Sequence, residues 1–239
     1  MRKKVKLIAL IPARSGSQRI KNKNIYNLNN KPLIAYSIKS ALKTKIFDRV
    51  IVSTDSVKYA KIAKRYGADV PFLRPKKFSK STSPDYEWLK FTIDKLDKEK
   101  YDFTHFFILR PTNPFRNHKT ILRAWRELRK NKKAESLRAV QISKSHPGKM
   151  WKLQGKFIKP LLNLTILNQP SYNNQFKSLP NIYIQNASLE ISKKEVIKKY
   201  KTICGKKIIP FFTNEIEGFD INYISDLNQA KKIIKKKSK

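Results

Sequence analysis

The stretch from Ile11 to Ile25, IPARSGSQRIKNKNI, follows the apolar run Val5 to Leu10 and gathers a glycine, two serines and several cations into one loop. Such residues can bind phosphate. Gly16 lets backbone approach a ligand closely, the loop N–H groups and the Ser15 and Ser17 hydroxyls can receive phosphate oxygens in a concavity, and Arg14 and Lys23 add full positive charge. A nucleoside triphosphate suits this chemistry. The pattern is neither the Gly-Lys-Ser/Thr of a P-loop nor the three spaced glycines of a dinucleotide fingerprint. On residue types alone, the alternative is a surface loop made basic by composition.

A loop of this kind needs strands and helices that hold it beyond the carboxyl edge of a sheet, where ligands of open α/β folds gather. Short β-branched runs alternate here with amphipathic stretches, which predicts an α/β fold, mostly parallel in its sheet and flanked by helices. Residues 6–11 read as the first strand and 32–42 as a helix with proline in its first turn. Strand 48–54 and a helix from about Ser56 to Gly67 follow, then a further strand in GADVPFL before Arg74. Residues 75–84 lack a period and read as a loop. Helix 85–98, an unbroken apolar strand at 103–109 and helix 119–132 continue the alternation. Strands are expected at 137–142, 182–191 and 207–212, with a closing helix at 225–236 capped by Ser225. Between them, 143–179 is rich in Asn, Lys, Pro and Gln and reads as an insertion or an oligomerisation arm. The expected organisation is one domain over 1–239, with 143–192 as an extension within it.

Composition limits the function classes. With 239 residues, 40% of them hydrophobic, the chain can bury a sizeable core. The lone Cys204 provides neither an intramolecular disulfide nor a thiolate metal cluster. No leader is visible and no apolar run nears the roughly 20 residues of a membrane-spanning helix, so a cytoplasmic protein without membrane partners is expected. The net charge of +37 points towards nucleic acid or an anionic surface. However, 42 of the 54 basic residues are lysines, and lysine, isoleucine and asparagine share A/T-rich codons, which accounts for much of it. Lys58, Lys61 and Lys64 fall on one helix side without the interleaved aromatics of a base-stacking platform.

The order of motifs is more specific. The chain resembles the cytidylyltransferases that activate nine- and eight-carbon keto-sugar acids, most closely the acylneuraminate cytidylyltransferases, or CMP-sialic acid synthetases. Their first motif, I-P-A-R-x-G-S-K-x-I-x-x-K-N, aligns with Ile11 to Asn24. FDRVIVSTD at Phe47 to Asp55, LRP at Leu73 to Pro75 and PTNPFR at Pro111 to Arg116 follow in the family's order. So do HPGKMW at His146 to Trp151, YIQNASLEI at Tyr183 to Ile191 and FDINYISDL at Phe219 to Leu227.

The resemblance implies a Rossmann-like nucleotidyltransferase in which the anomeric hydroxyl of a sugar acid attacks the α-phosphorus of CTP, without a covalent enzyme intermediate. Positioning and charge would then supply the rate. It implies that Arg14, Gly16, Ser17 and Lys23 hold the triphosphate, with Lys23 countering charge on the leaving pyrophosphate. Arg74 and Thr82 would lie by the nucleotide, Arg110 by the cytosine, and Lys149, Gln185 and Asn186 by the sugar acid. Asp220, with Asn222 two residues on, would bind Mg²⁺. The implied partners are CTP, a keto-sugar acid and a second copy of the chain, with a dimerisation extension before the YIQNAS strand.

Plainer readings stand beside these. Asp220 could belong to a turn, Asn186 could satisfy backbone at a strand end, and Lys149 and Arg74 could be solvated. His105 reads as a hydrogen-bonded core histidine, and Trp88, Trp125 and Trp151 read as packing. Gln18 stands where many members carry Lys, Arg110 where they carry Gln, Asn222 where they carry a second Asp, and Ser81 where Asp often precedes Thr82. Lys23-Asn24 differs from the Lys-Pro typical of the eight-carbon Kdo branch, the runner-up. From another class, a basic nucleic-acid-binding protein or an inactive member could share the fold.

Overall fold

Strand β1 (Leu7–Pro12) is apolar throughout, and its side chains alternate between two cores, as the period of two in a strand requires. Leu7, Ala9 and Ile11 enter one core while Ile8 and Leu10 enter the other. A strand buried on both faces must be central, and in this computed structural model, which describes residues 5–237, it is. The chain continues through helix α1 (Leu33–Thr44), strand β2 (Arg49–Ser53), helix α2 (Val57–Arg65) and helix α3 (Asp85–Lys98). Strand β3 (His105–Ile108), helix α4 (His118–Lys130) and strand β4 (Ser136–Ile142) come next. Strand β5 (Tyr183–Lys193), helix α5 (Glu195–Tyr200), strand β6 (Ile208–Phe212) and helix α6 (Ile224–Lys237) complete the order. The sheet runs β6-β4-β5-β3-β1-β2.

Strand β1 pairs in parallel with both β2 and β3, whereas β5 runs antiparallel to β3. Ile34 and Ile38 of α1, Tyr59 and Ala63 of α2, and Ile121 and Trp125 of α4 fill the core on one face. Trp88, Leu89, Ile93 and Leu96 of α3 fill the other. Helices on both faces of a mostly parallel sheet make a three-layer α/β fold, as expected. His105 lies edge-on to Trp125 with ring centroids 5.1 Å apart, and burial pushes its pKa down to about 4, so it is a neutral core histidine.

Contacts divide the chain into two compact units: residues up to 139 together with 186 onward, and residues 140–185. The expected extension, 143–192, overlaps the second unit, but its last residues are the buried half of β5 in the sheet of the first. Within the second unit, the segment without a clear period contains a hairpin of Trp151–Gln154 with Phe157–Pro160 and a smaller one of Thr165–Ile166 with Gln169–Pro170. Gly148 packs so tightly on Ser171 that a Cβ there would lie 2.6 Å from its Oγ. Leu153, Phe157, Ile158 and Leu167 are exposed.

Two local expectations are corrected. GADVPFL makes one bridge, Asp69 to Ile51, and no strand, because Pro71 lacks the N–H that a continuing ladder needs. Ser225 lies inside α6 and does not cap it. Asp226 reaches back instead, its Oδ2 accepting from the N–H groups of Asn222 at 2.7 Å and Tyr223 at 2.8 Å, a capping-box arrangement. No helix among the described residues is long and apolar enough to cross a membrane.

Candidate active site

Beyond the carboxyl end of β1 the chain turns into the basic loop, and Asp55, just past β2, fixes its start. The Asp55 carboxylate accepts from the Ser15 N–H at 2.8 Å and the Ser15 hydroxyl at 2.7 Å. Ser15 therefore anchors the loop, which corrects its expected role as a phosphate donor. The buried Asn24 closes the far side by donating to the Arg14 carbonyl at 3.0 Å. Between these ties, Arg14 folds over the loop to the Gly16 carbonyl at 2.6 Å, and the Ser17 N–H donates to the Ser15 carbonyl at 2.9 Å. Gln18 lies 3.4 Å from the Ser81 hydroxyl, next to the exposed Thr82.

Gly16 has no positive φ, and a Cβ built there would meet only Arg14 Nη1 at 3.7 Å, an ordinary contact. The fold itself therefore tolerates alanine. If a ligand's phosphate must approach this backbone, Gly16→Ala is expected to raise the KM for the phosphate-bearing substrate about tenfold while thermal unfolding stays near that of the unaltered chain. Steady-state kinetics beside a melting curve check this, and an unchanged KM removes Gly16 from the phosphate loop.

Lys23 opens a single 3-10 turn, and its ammonium donates to the Ile221 carbonyl at 2.9 Å, joining the first loop to the FDINYISDL segment across 198 residues of chain. Burial lowers the Lys23 pKa, Asp220 opposes that shift, and Arg19 and Arg14 reinforce it. Asp220 accepts from Asn222 Nδ2 at 2.7 Å through Oδ2, while its Oδ1 is buried without a hydrogen-bond partner. Asn222 accepts from Arg19 Nη1 at 3.2 Å through its own Oδ1. The oxygen expected to face a metal thus receives a guanidinium. Arg19 was not singled out from the sequence; it stands one position after the family's missing lysine.

Asp220 has the donor chemistry for a hard divalent cation: a carboxylate oxygen shielded from water yet unbonded. Among the described residues no group of three or more His, Cys, Asp or Glu could hold a metal, so an ion here would take most of its ligands from substrate and water.

A second set of charges follows the sheet edge. Arg74 is 4% exposed, lies over the Trp88 ring at 5.1 Å, and donates to Ser53 Oγ at 3.1 Å and the Ser53 carbonyl at 2.6 Å. Burial pushes its pKa down to about 10 against the pull of Asp55 and Asp85. Arg110, just after β3, donates through Nη2 to Asp85 at 2.6 Å and Glu190 at 3.1 Å. Burial works to raise the Asp85 carboxyl, but the Arg110 guanidinium, with the Trp88 N–H and the charge of Arg74, more than offsets it and holds Asp85 below the ordinary range. A cytosine contact from Arg110 would come from its other N–H groups. Arg116 is fully buried and ties Arg110 to the rest, donating to its carbonyl at 3.4 Å, to Ser37 Oγ at 2.6 Å and to the Ser188 carbonyl.

The residues expected to touch the sugar divide between the two compact units. Asn186 donates to Thr213 Oγ1 at 2.7 Å and accepts from the Ser188 N–H at 3.1 Å. Gln185 is exposed on β5. Lys149, in the second unit, donates to the Tyr172 carbonyl at 3.2 Å. The structure therefore brings together Arg14, Gly16, Ser17, Lys23, Asp220 and Asn222, with Arg19 added. Asp55, the last residue of FDRVIVSTD, joins them through Ser15, and its only signal in the sequence is an acid standing at the end of a strand.

Residues 8–238 match the family profile described as cytidylyltransferase. The N-acylneuraminate cytidylyltransferase of Escherichia coli O18:K1:H7 is 30% identical over 238 residues, 99% of this chain and 54% of that protein. The chain thus spans about half the length of that relative. The CMP-N,N'-diacetyllegionaminic acid synthase of Legionella pneumophila is 31% identical over 233 residues, covering 96% of this chain and 97% of that one. Among solved structures, a CMP:2-keto-3-deoxy-manno-octonic acid synthetase complexed with CTP superposes with a TM-score of 0.68 at 12% identity, covering 97% and 99% of the two chains, which is a likeness of fold.

Proposed function

The chain belongs to the cytidylyltransferase family, and from that premise we propose that it transfers CMP from CTP to the anomeric hydroxyl of a nonulosonic acid, N-acetylneuraminate or a relative such as legionaminate. The observation that carries this reading is the meeting of the first loop with the closing segment, Lys23 on the Ile221 carbonyl beside Asp220. In the proposed step the anomeric oxygen bonds to the α-phosphorus while the bond from that phosphorus to the oxygen bridging to the β-phosphate breaks. Pyrophosphate leaves and the hydroxyl proton passes to water.

The chain's own part is to bind and orient. Ser17 and the backbone near Gly16 present donors to the phosphates, Arg14 and Lys23 bring charge, and Asp55 keeps the loop in place through Ser15. Lys23, held by the Ile221 carbonyl, is poised to meet the charge that builds on the departing pyrophosphate. Arg74 and Arg110 would set the nucleotide end, and Asn186 would face the acceptor. We assign Asp220 to Mg²⁺, which when bound would neutralise phosphate charge and make the α-phosphorus more electrophilic.

The exposed Leu153, Phe157, Ile158 and Leu167 of the second unit support a homodimer in which that unit is the extension facing a second copy. We place the activity in the cytoplasm, where CTP is available and where the free, buried Cys204 stays reduced.

Pyrophosphate release with CTP, against a panel of keto-sugar acids, tests the activity; light scattering on the same sample gives the assembly. Release that requires a nonulosonic acid and is not supported by ATP is the expected result. No release with any acid of the panel removes the reading.

A further inference from the structure

We propose that Asp85, paired with Arg110, selects cytosine over uracil: its carboxylate accepts from the exocyclic amino group of the base while the guanidinium donates to the ring nitrogen and carbonyl oxygen beside it. The inference rests on the CTP reading above. Three observations converge on it.

First, the pair stands where a base can reach it. Arg110 follows β3, whose carboxyl end lies on the same rim as that of the parallel β1, and Asp85 opens α3 just after the loop that holds Thr82. Their side chains are 27% and 35% exposed, and Arg110 Nη2 donates to Asp85 Oδ2 at 2.6 Å. A donor and an acceptor therefore lie side by side at the rim. Asp85 Oδ1 accepts from Trp88 Nε1 at 2.8 Å, and each carboxylate oxygen keeps a lone pair for a further donor.

Second, Glu190 fixes the guanidinium from behind. It stands opposite Ile108 of β3, its side chain is 9% exposed, and it accepts from the same Nη2 at 3.1 Å, with Arg138 Nη2 3.7 Å from its other oxygen. A carboxylate buried in a sheet is costly unless paired, and here the pairing sets an orientation. With both acids on one nitrogen, the remaining N–H groups of the fork are left for a ligand.

Third, the charge of the cluster suits a base better than a phosphate. Two carboxylates compensate the guanidinium, so it attracts an added anion weakly. Asp85, held below the ordinary carboxyl range, stays ionised and can only accept.

Cytosine fits these constraints. Its edge sets the N4 amino donor beside the N3 and O2 acceptors, whereas uracil reverses the first two, with an O4 acceptor and an N3–H donor. Uracil would turn O4 towards the Asp85 carboxylate and N3–H towards the guanidinium, and polar groups left unpaired in this way reject an analogue.

An amide at 85 can donate as well as accept, which supplies the test. Calorimetric titrations of CTP and of UTP, with Mg²⁺ saturating, are compared among the unaltered chain, Asp85→Asn, Asp85→Ala and Asp94→Asn, a control further along α3 where the acid pairs with Lys90. The unaltered chain is expected to prefer CTP by at least about 100-fold. Asp85→Asn should cut that preference about 10- to 100-fold, and UTP should bind more tightly than it does to the unaltered chain, a gain that a merely structural loss does not give. Asp85→Ala should weaken CTP without improving UTP, and it reports the contact if the amide disturbs the fold. Asp94→Asn removes the same charge and should leave both ligands within about twofold.

An unchanged preference or no gain of UTP in Asp85→Asn, undiminished CTP binding in Asp85→Ala, or the same shift in Asp94→Asn overturns the role of Asp85 and leaves the CTP reading intact. An unaltered chain that binds neither nucleotide, or both alike, overturns both.

Discussion

Asp220→Asn is expected to slow CMP transfer about 10²- to 10⁴-fold without unfolding the chain. The substitution is nearly isosteric. Asn222 Nδ2, which donates to Asp220 Oδ2 at 2.7 Å, can donate equally to an amide oxygen at 220, so the turn before α6 keeps its bond. The Asp226 caps on Asn222 and Tyr223 are untouched. What disappears is negative charge at the buried, unpartnered Oδ1, the oxygen assigned to Mg²⁺. Asp220 also opposes the lowering of the Lys23 pKa, so its neutral replacement leaves the ammonium less favoured in a partly desolvated position. Single-turnover pyrophosphate release at saturating CTP isolates the chemical step, and circular dichroism with a melting curve reports the fold. A rate loss below about tenfold in a folded variant would exclude Asp220 from the charge-stabilising machinery.

The loop and its strand were readable because their signals are local. An apolar run that stops at Pro12, followed by Ser, Gly and cations, describes a strand end and a donor-rich turn from neighbouring residues alone. The same holds for α2, where Ser56 caps the helix by accepting from the Tyr59 N–H at 3.3 Å, and for its end at Gly67, which has φ of 89°. What the chain did not disclose is pairwise and distant. Arg19 and Asn222 are 203 residues apart, and Ser15 and Asp55 are 40 apart, so nothing in either segment states that they meet.

Charge residues were hardest to read because a cation looks alike whether it is solvated or buried. Arg74 and Arg116 are 4% and 1% exposed, while Lys61 is on the surface, and the sequence writes all three as basic positions in a chain of net charge +37. Burial separates their work. Arg116 links strand and loop carbonyls, whereas Arg74 is held on Ser53 and the Trp88 ring at the end of β2. The motif order implied a place by the nucleotide for Arg74 and no role for Arg116; only their partners distinguish a bracket from a contact.

Lys23 carries the other large effect. Lys23→Met keeps an unbranched side chain and removes the charge, and it is expected to cut kcat/KM for CTP about 10²- to 10³-fold. Lys23→Arg should recover part of this, since it restores charge but not the compact ammonium seated on the Ile221 carbonyl. The pH profile assigns the effect to the titrating group. Burial lowers the Lys23 pKa from the ordinary 10.5, and Arg19 and Arg14 add to that shift against Asp220. The protonated form holds phosphate, so activity is full below the lowered pKa and falls as pH rises through it. The alkaline limb of kcat/KM should therefore begin at lower pH than an unperturbed lysine would give. In Lys23→Arg that limb should leave the measurable range, because a guanidinium stays charged. In Asp220→Asn, where the opposing carboxylate is gone, CTP binding should show the limb moved lower still. A limb at the same pH in the unaltered chain and in Lys23→Arg would assign the titration to another group and deny Lys23 its part in countering the charge on pyrophosphate.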